Sequence, residues 1–162
     1  MQVRRRVQLM TIAAALTLAA SSGARAQDVA AWRVECSGDG KSLDCRAIQQ
    51  LFQRETRQLV LSVLARKAPD PKGALLQIQM PLGLNLTEPI QIRVDNGAIE
   101  KYPIQTCTNI GCFAMLTANE RLVTAMRSGT DFKITFLDGN KKPIELPVPL
   151  LGFGIAFDKA RA

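Results

Sequence analysis

The stretch IQIRVDNGAIEKY, residues 90–102, decides how the chain is read. Ile90, Ile92 and Val94 alternate with Gln91 and Arg93, the period-two pattern of a strand with one buried face. Asn96-Gly97 then offers the residue pair most suited to a type I′ turn, which needs positive φ at both central positions. Ile99 and Tyr102 follow on the return strand. The segment predicts a β-hairpin.

Working outward, the same alternation recurs. ALLQIQMP (74–81) sets Leu76, Ile78 and Met80 against Gln77 and Gln79, and DFKITFLDGN (131–140) sets Phe132, Ile134 and Phe136 against Lys133 and Thr135. RQLVLSVLARKA (57–68) is apolar on both faces, which predicts a central, well-covered strand. AWRVECS (31–37) and GCFAMLTA (111–118) read as short strands; DCRAIQQLFQ (44–53) suits strand or helix, and LGLNLTEP (82–89) loop or short strand. PIELPVPLLGF (143–153) returns as a partner strand whose Pro147 and Pro149 place it at a sheet edge, where it could accept a further strand. Thr117-Ala118-Asn119-Glu120 fits a capping box, Leu122, Val123 and Met126 share one helical face, and Gly129 closes the helix. A second short helix is admissible over 154–162. Eight or nine short strands between turn signals, with one or two short helices, predict an all-β sandwich in a single domain, residues 27–162.

The first 26 residues predict a signal peptide. Arg4, Arg5 and Arg6 form the positive region, LMTIAAALTLAA (9–20) the apolar region, and Ala24-Arg25-Ala26 the cleavage pattern. The apolar run falls short of the roughly 20 residues that span a bilayer. Residues 1–26 hold four arginines and no acid, so removing them leaves 17 basic and 14 acidic side chains and lowers the formal net charge from +7 to +3. The remaining basic residues are scattered, whereas a nucleic-acid footprint needs them clustered among aromatic partners. Arg66-Lys67 and Lys141-Lys142 read instead as solvated element ends.

An exported chain meets an oxidising compartment, where an even cysteine count implies disulfides. Cys36, Cys45, Cys107 and Cys112 allow three pairings. The local pairs Cys36–Cys45 and Cys107–Cys112 are expected, because each spans a short turn between two strand segments. Neither pair has the C-x-x-C spacing of a redox site. The 36/45 spacing is too wide for a zinc knuckle, and the chain contains no histidine.

Other motifs fail on chemistry. GDGKS (38–42) resembles the tail of a phosphate-binding loop, but Glu35 stands where the first glycine belongs and would repel phosphate. Serine hydrolysis lacks a histidine base, and S-x-x-K does not occur at Ser37, Ser42, Ser62 or Ser128. Glycosidase carboxylates pair in space and not in sequence, yet Asp39, Asp70, Asp95 and Asp138 sit at turn signals. No catalytic, cofactor-binding or metal-ligating residue is assigned. Asn85-Leu86-Thr87 matches a glycosylation acceptor by pattern alone. Trp32, the single tryptophan, reads as a core or rim aromatic packed on the first disulfide, or as a contact for a partner. LLGFGIAF (150–157), too short to span a membrane, reads as core or as an exposed contact patch, with core the expectation. CTNIGC (107–112) reads as a cystine loop in which Gly111 gives backbone freedom and Thr108, Asn109 and Ile110 are the candidate contact residues.

These residues together resemble the invasion-associated locus B proteins of Gram-negative, chiefly alphaproteobacterial, bacteria. The likeness is carried by Trp32-x-Val34-x-Cys36, Cys45 followed by Gln49, Pro81-Leu82-Gly83, Ile92-x-Val94-Asp95, Cys107 with Gly111-Cys112, and Leu150-Leu151-Gly152-Phe153. It implies an immunoglobulin-like sandwich exported to the periplasm or outer membrane, linked in the founding member to entry into host cells. The expectation is an exported, non-enzymatic, disulfide-stabilised envelope protein that binds another protein or an envelope component, with no cofactor, no nucleic acid and no transmembrane segment after signal cleavage. The competing expectation is a periplasmic module that binds or hydrolyses a small molecule or polysaccharide. It requires a pocket with clustered carboxylates.

Overall fold

A computed structural model of the chain describes residues 32–38 and 40–161. The expected signal peptide, residues 1–26, lies outside them. In chain order the elements are β1 (Arg33–Gly38), β2 (Leu43–Phe52), β3 (Leu59–Lys67), β4 (Ala74–Met80), β5 (Ile90–Val94), β6 (Glu100–Tyr102), β7 (Thr106–Thr108), β8 (Gly111–Ala118), α1 (Glu120–Ser128), β9 (Asp131–Leu137), β10 (Pro143–Pro149) and α2 (Phe153–Arg161). Among the described residues the strands form two antiparallel sheets, one in the order β1-β2-β3-β4-β8-β7 and one in the order β10-β9-β5-β6.

The sheets stack as the alternation predicts. Along β4 and β9 every second side chain is buried. Leu61, Val63, Leu76 and Ile78 of the larger sheet meet Ile92, Phe132 and Ile134 of the smaller one in a continuous core. Burying each such side chain stabilises the fold by about 1.5–3 kcal/mol. The two-faced segment 57–68 supplies β3, which lies inside the larger sheet between β2 and β4. The ambiguous segment 44–53 is strand, because β2 pairs with both β1 and β3.

The larger sheet is wider than the smaller, and α2 fills the difference by packing on β2, with β1 and β3 beside it. Phe153 and Phe157 of α2 are fully buried, with their rings stacked at 5.5 Å. Arg127 of α1 forms a two-pronged ion pair with Asp158 of α2, at 3.0 and 2.5 Å. LLGFGIAF is therefore core on one side only: Phe153 and Phe157 point inward, whereas Leu151 and Ile155 are exposed.

Four local expectations are corrected. The β5–β6 hairpin does not turn on Asn96-Gly97: Asp95 holds the positive φ, +49°, and the Gly97 N–H closes back on the Val94 carbonyl at 2.8 Å. Asp95 is held there because its carboxylate accepts the Thr130 and Asp131 N–H groups. The return strand accordingly starts at Glu100 and leaves Ile99 exposed. At α1, strand pairing carries Thr117 and Ala118 into β8, and the N-cap is Asn119, whose side chain accepts the Leu122 N–H at 3.0 Å. Finally, β10 stops at Pro149, short of residue 153.

Trp32 is buried in the core, as expected. Its ring is buried edge-on against Phe153 at 4.9 Å, and its Nε1 donates to the Pro149 carbonyl at 2.9 Å. That bond also overturns the expectation that β10 accepts a partner strand. The Leu150 N–H donates back to Thr130, so even-numbered residues face β9 and odd-numbered ones face outward. The outward positions are Pro143, Glu145, Pro147 and Pro149: three lack an N–H, and the last carbonyl is taken by Trp32. The edge is sealed. Trp32→Phe keeps the apolar ring but removes the bond, and is expected to lower unfolding free energy by about 1–2 kcal/mol in urea titrations. An unchanged midpoint would show that this bond contributes nothing to stability.

Candidate functional site

Both local disulfides are present and no cysteine is free. Cys36 pairs directly with Cys45, and Cys107 with Cys112. Their Cα separations of 4.0 and 3.9 Å are those of non-hydrogen-bonded antiparallel pairs. Each bridge ties an outermost strand of the larger sheet to its neighbour. Chain entropy gives about 2–3 kcal/mol for each.

The second bridge anchors an end of the sandwich that carries several exposed apolar side chains. Between its cysteines the chain turns at Asn109 and Ile110. Thr108 Oγ1 accepts the Ile110 N–H at 3.3 Å, and Gln79 Nε2 donates to the Ile110 carbonyl at 2.8 Å. Gly111 has φ +141°, and a Cβ there would lie 2.4 Å from the Met80 carbonyl oxygen. No side chain fits, so glycine lets the turn close against β4.

The registers place other loops beside this one. Phe52 pairs with Leu59 at the end of the β2–β3 ladder, the β4–β8 ladder ends where Met80 faces Cys112, and Leu82 follows two residues after β4. Phe52 at the end of β2, Leu82 just past β4 and Ile110 just before β8 thus stand at the same end of the larger sheet. Leu86 caps the neighbouring turn, where Asn85 Oδ1 accepts the Thr87 N–H and hydroxyl. Leu84 bridges to Asp138, which brings in the β9–β10 turn. Phe52, Leu82, Leu86 and Ile110 are 52, 56, 57 and 67 % exposed. Around them stand the exposed Arg54, Glu55, Arg57, Glu88, Lys141 and Lys142. An apolar centre with a mixed charged rim is the composition of a protein-binding surface.

The expected contact residues Thr108, Asn109 and Ile110 are all exposed here. The sequence did not single out Phe52, Leu82 and Leu86. The available signal was apolar residues next to turns, and only the strand order puts Phe52 and Leu82 at the same end of the sheet as Ile110. Trp32 lies elsewhere, buried.

A cleft of 280 Å³ lies between the β5–β6 turn and α1, lined by Asp95, Glu100, Arg121 and Leu122 among others. Its carboxylates have other partners. Asp95 accepts the Thr130 and Asp131 N–H groups, which hold its carboxyl below the usual range. Glu100 accepts the Tyr102 hydroxyl at 2.7 Å; burial first, and then that carboxylate, push the Tyr102 pKa up to about 12. A general acid for glycoside cleavage needs a raised carboxyl pKa, the opposite of the shift at Asp95. Among the described residues no three carboxylates or cysteines group to hold a metal, and no helix is long and apolar enough to cross a membrane.

The model of the invasion associated locus B (IalB) protein family matches residues 32–161. The chain belongs to the IalB family. Two proteins of Brucella abortus, from strains 2308 and 9-941 and each named an invasion protein B homolog, are each 30 % identical to it over 134 residues, which cover 81 % of this chain and 76 % of theirs. The crystal structure of invasion associated protein B from Bartonella henselae superposes with a TM-score of 0.72 at 22 % identity, covering 78 % of this chain and 88 % of that one. It shows the same fold. The family likeness rests on residues that this IalB chain uses structurally: Trp32 seals an edge, the cysteines tie strands, Gly111 permits a close approach and Asp95 fastens a turn.

Gly111→Ala is expected to lower unfolding free energy by more than about 2 kcal/mol, since strain and a backbone clash coincide. Equal stability by urea titration would contradict that geometry. Asp95→Asn gives a pH test. A carboxylate with a depressed folded pKa contributes stability above its unfolded pKa of about 3.9 and loses it as pH falls through the lower folded value. The melting-temperature gap between wild type and variant should be widest above about pH 4 and close below it; a gap independent of pH would exclude the carboxylate's charge as the cause.

Proposed function

We propose that this IalB-family chain is exported by a signal peptide cleaved near Ala26 and works in the periplasm or at the outer membrane as a non-enzymatic binding protein. It engages another protein or an envelope component through the loop end formed by Phe52, Leu82, Leu86 and Ile110. The observation that carries the reading is the exposure of these four apolar side chains on adjacent loops of a disulfide-tied scaffold. Exposed apolar groups cost solubility, and their gathering marks a contact surface. The invasion named in the relatives supplies a setting for such contacts in pathogens, at the surface that meets a host cell.

The test is photo-crosslinking in the producing cell, with the reactive group placed in turn at Leu82, Leu86, Ile110 and, as control, Arg93 on the outer face of the smaller sheet. The expected result is one shared adduct from the three loop positions and none from Arg93. Equal labelling at all four positions, or none at any, would contradict the assignment. The N-terminus of the recovered protein, read by mass spectrometry, should be Gln27.

A further inference from the structure

Among the described residues the two sheets have four strand edges, and three of these are closed to further pairing. At β10 three of the four outward positions are prolines, and Trp32 takes the last carbonyl. At β6 only three residues pair, and Pro103 follows. At β7 three residues pair; beyond them the Gln105 side chain plays the part of a strand, donating to the Met115 carbonyl at 2.8 Å and accepting its N–H at 2.6 Å. The fourth edge, β1, has six residues and no proline. Because Cys36 and Cys45 form a non-hydrogen-bonded pair, the backbone groups of Cys36, and by the two-residue period those of Val34, point away from β2. Natural sheets rarely leave such an edge without a partner.

We infer that β1 pairs antiparallel with β1 of a second copy, about a twofold axis through Val34, to join the two larger sheets into one. The edge is self-complementary in this register. Val34 meets Val34 of the second copy, and Cys36 meets its Trp32, each pair exchanging backbone hydrogen bonds in both directions. Between them Arg33 faces Glu35 of the second copy, and Glu35 its Arg33, so opposite charges stand opposite. Within one chain Glu35 is bridged to Arg33 at 3.1 Å and to Arg46 at 3.4 Å, all three side chains more than a third exposed. Such weakly held pairs can re-form across the axis. A twofold contact of this kind is closed and stops at the dimer. The flanking helix agrees: Ile155, 68 % exposed, borders a shallow cavity of 300 Å³ beside Trp32 and Val34, on the side where α2 of the second copy arrives.

The test is sedimentation equilibrium of the exported protein over about 1–100 µM, with three variants. Val34→Pro removes an outward N–H at an edge position that accepts proline, so the fold is retained while pairing is blocked. Glu35→Arg sets arginine against arginine and is expected to raise the dimer dissociation constant about tenfold. Arg33→Glu with Glu35→Arg restores the opposite charges and is expected to recover wild-type association. A concentration-dependent dimer that Val34→Pro abolishes at unchanged melting temperature, with the charge pattern just described, supports the inference. A protein monomeric throughout the range, or a dimer indifferent to Val34→Pro and to charge reversal, overturns it.

Discussion

The constraint on which this molecule depends is the closure of strand edges. Two open sheets bury their faces against each other, but each ends in backbone groups with no neighbour. The chain meets that demand locally. Prolines at three of the four outward positions strip most donors from β10, and Trp32 takes the last acceptor while packing its ring on α2. The Gln105 amide stands in where β7 stops. The two disulfides tie the outermost strands of the larger sheet, the positions with a neighbour on one side only. Stability thus resides in the faces, and definition in the edges.

Much of this was legible in the sequence, for a physical reason. Alternation in 74–80 and 131–137 reports burial directly, because one face of each strand meets the core. Strands of that kind announce themselves; turns and caps did not. The β5–β6 turn moved off Asn96-Gly97 because Asp95 binds N–H groups 35 and 36 residues away, a tertiary contact that outweighs local turn propensity. The helix cap moved from Thr117 to Asn119 because pairing with β4 claimed Thr117 first. The partners of Trp32 were hidden for the same reason, since Pro149 and Phe153 lie more than a hundred residues on.

The candidate site was half legible. CTNIGC announced a constrained loop, and its Ile110 is the most exposed of the four apolar side chains gathered at that end. Leu82 and Leu86 lie in the Pro81-Leu82-Gly83 and Asn85-Leu86-Thr87 patterns, neither of which points to a contact, and only the strand order puts Phe52 and Leu82 at the end of the larger sheet where Ile110 stands. The residues that carry the family likeness hold the scaffold, whereas the proposed contact surface is made largely of residues outside that pattern. Conversely, the cleft under α1 has the carboxylates an enzyme would need, but they are bound to Tyr102 and to the β9 backbone.

The central claim is that scaffold and contact surface are separable. The most direct measurement is a triple variant, Leu82→Ser, Leu86→Ser and Ile110→Ser, followed for both thermal unfolding and retention in the envelope fraction. The account expects wild-type melting with retention lost. Loss of folding together with retention, or wild-type retention in a folded variant, would contradict it.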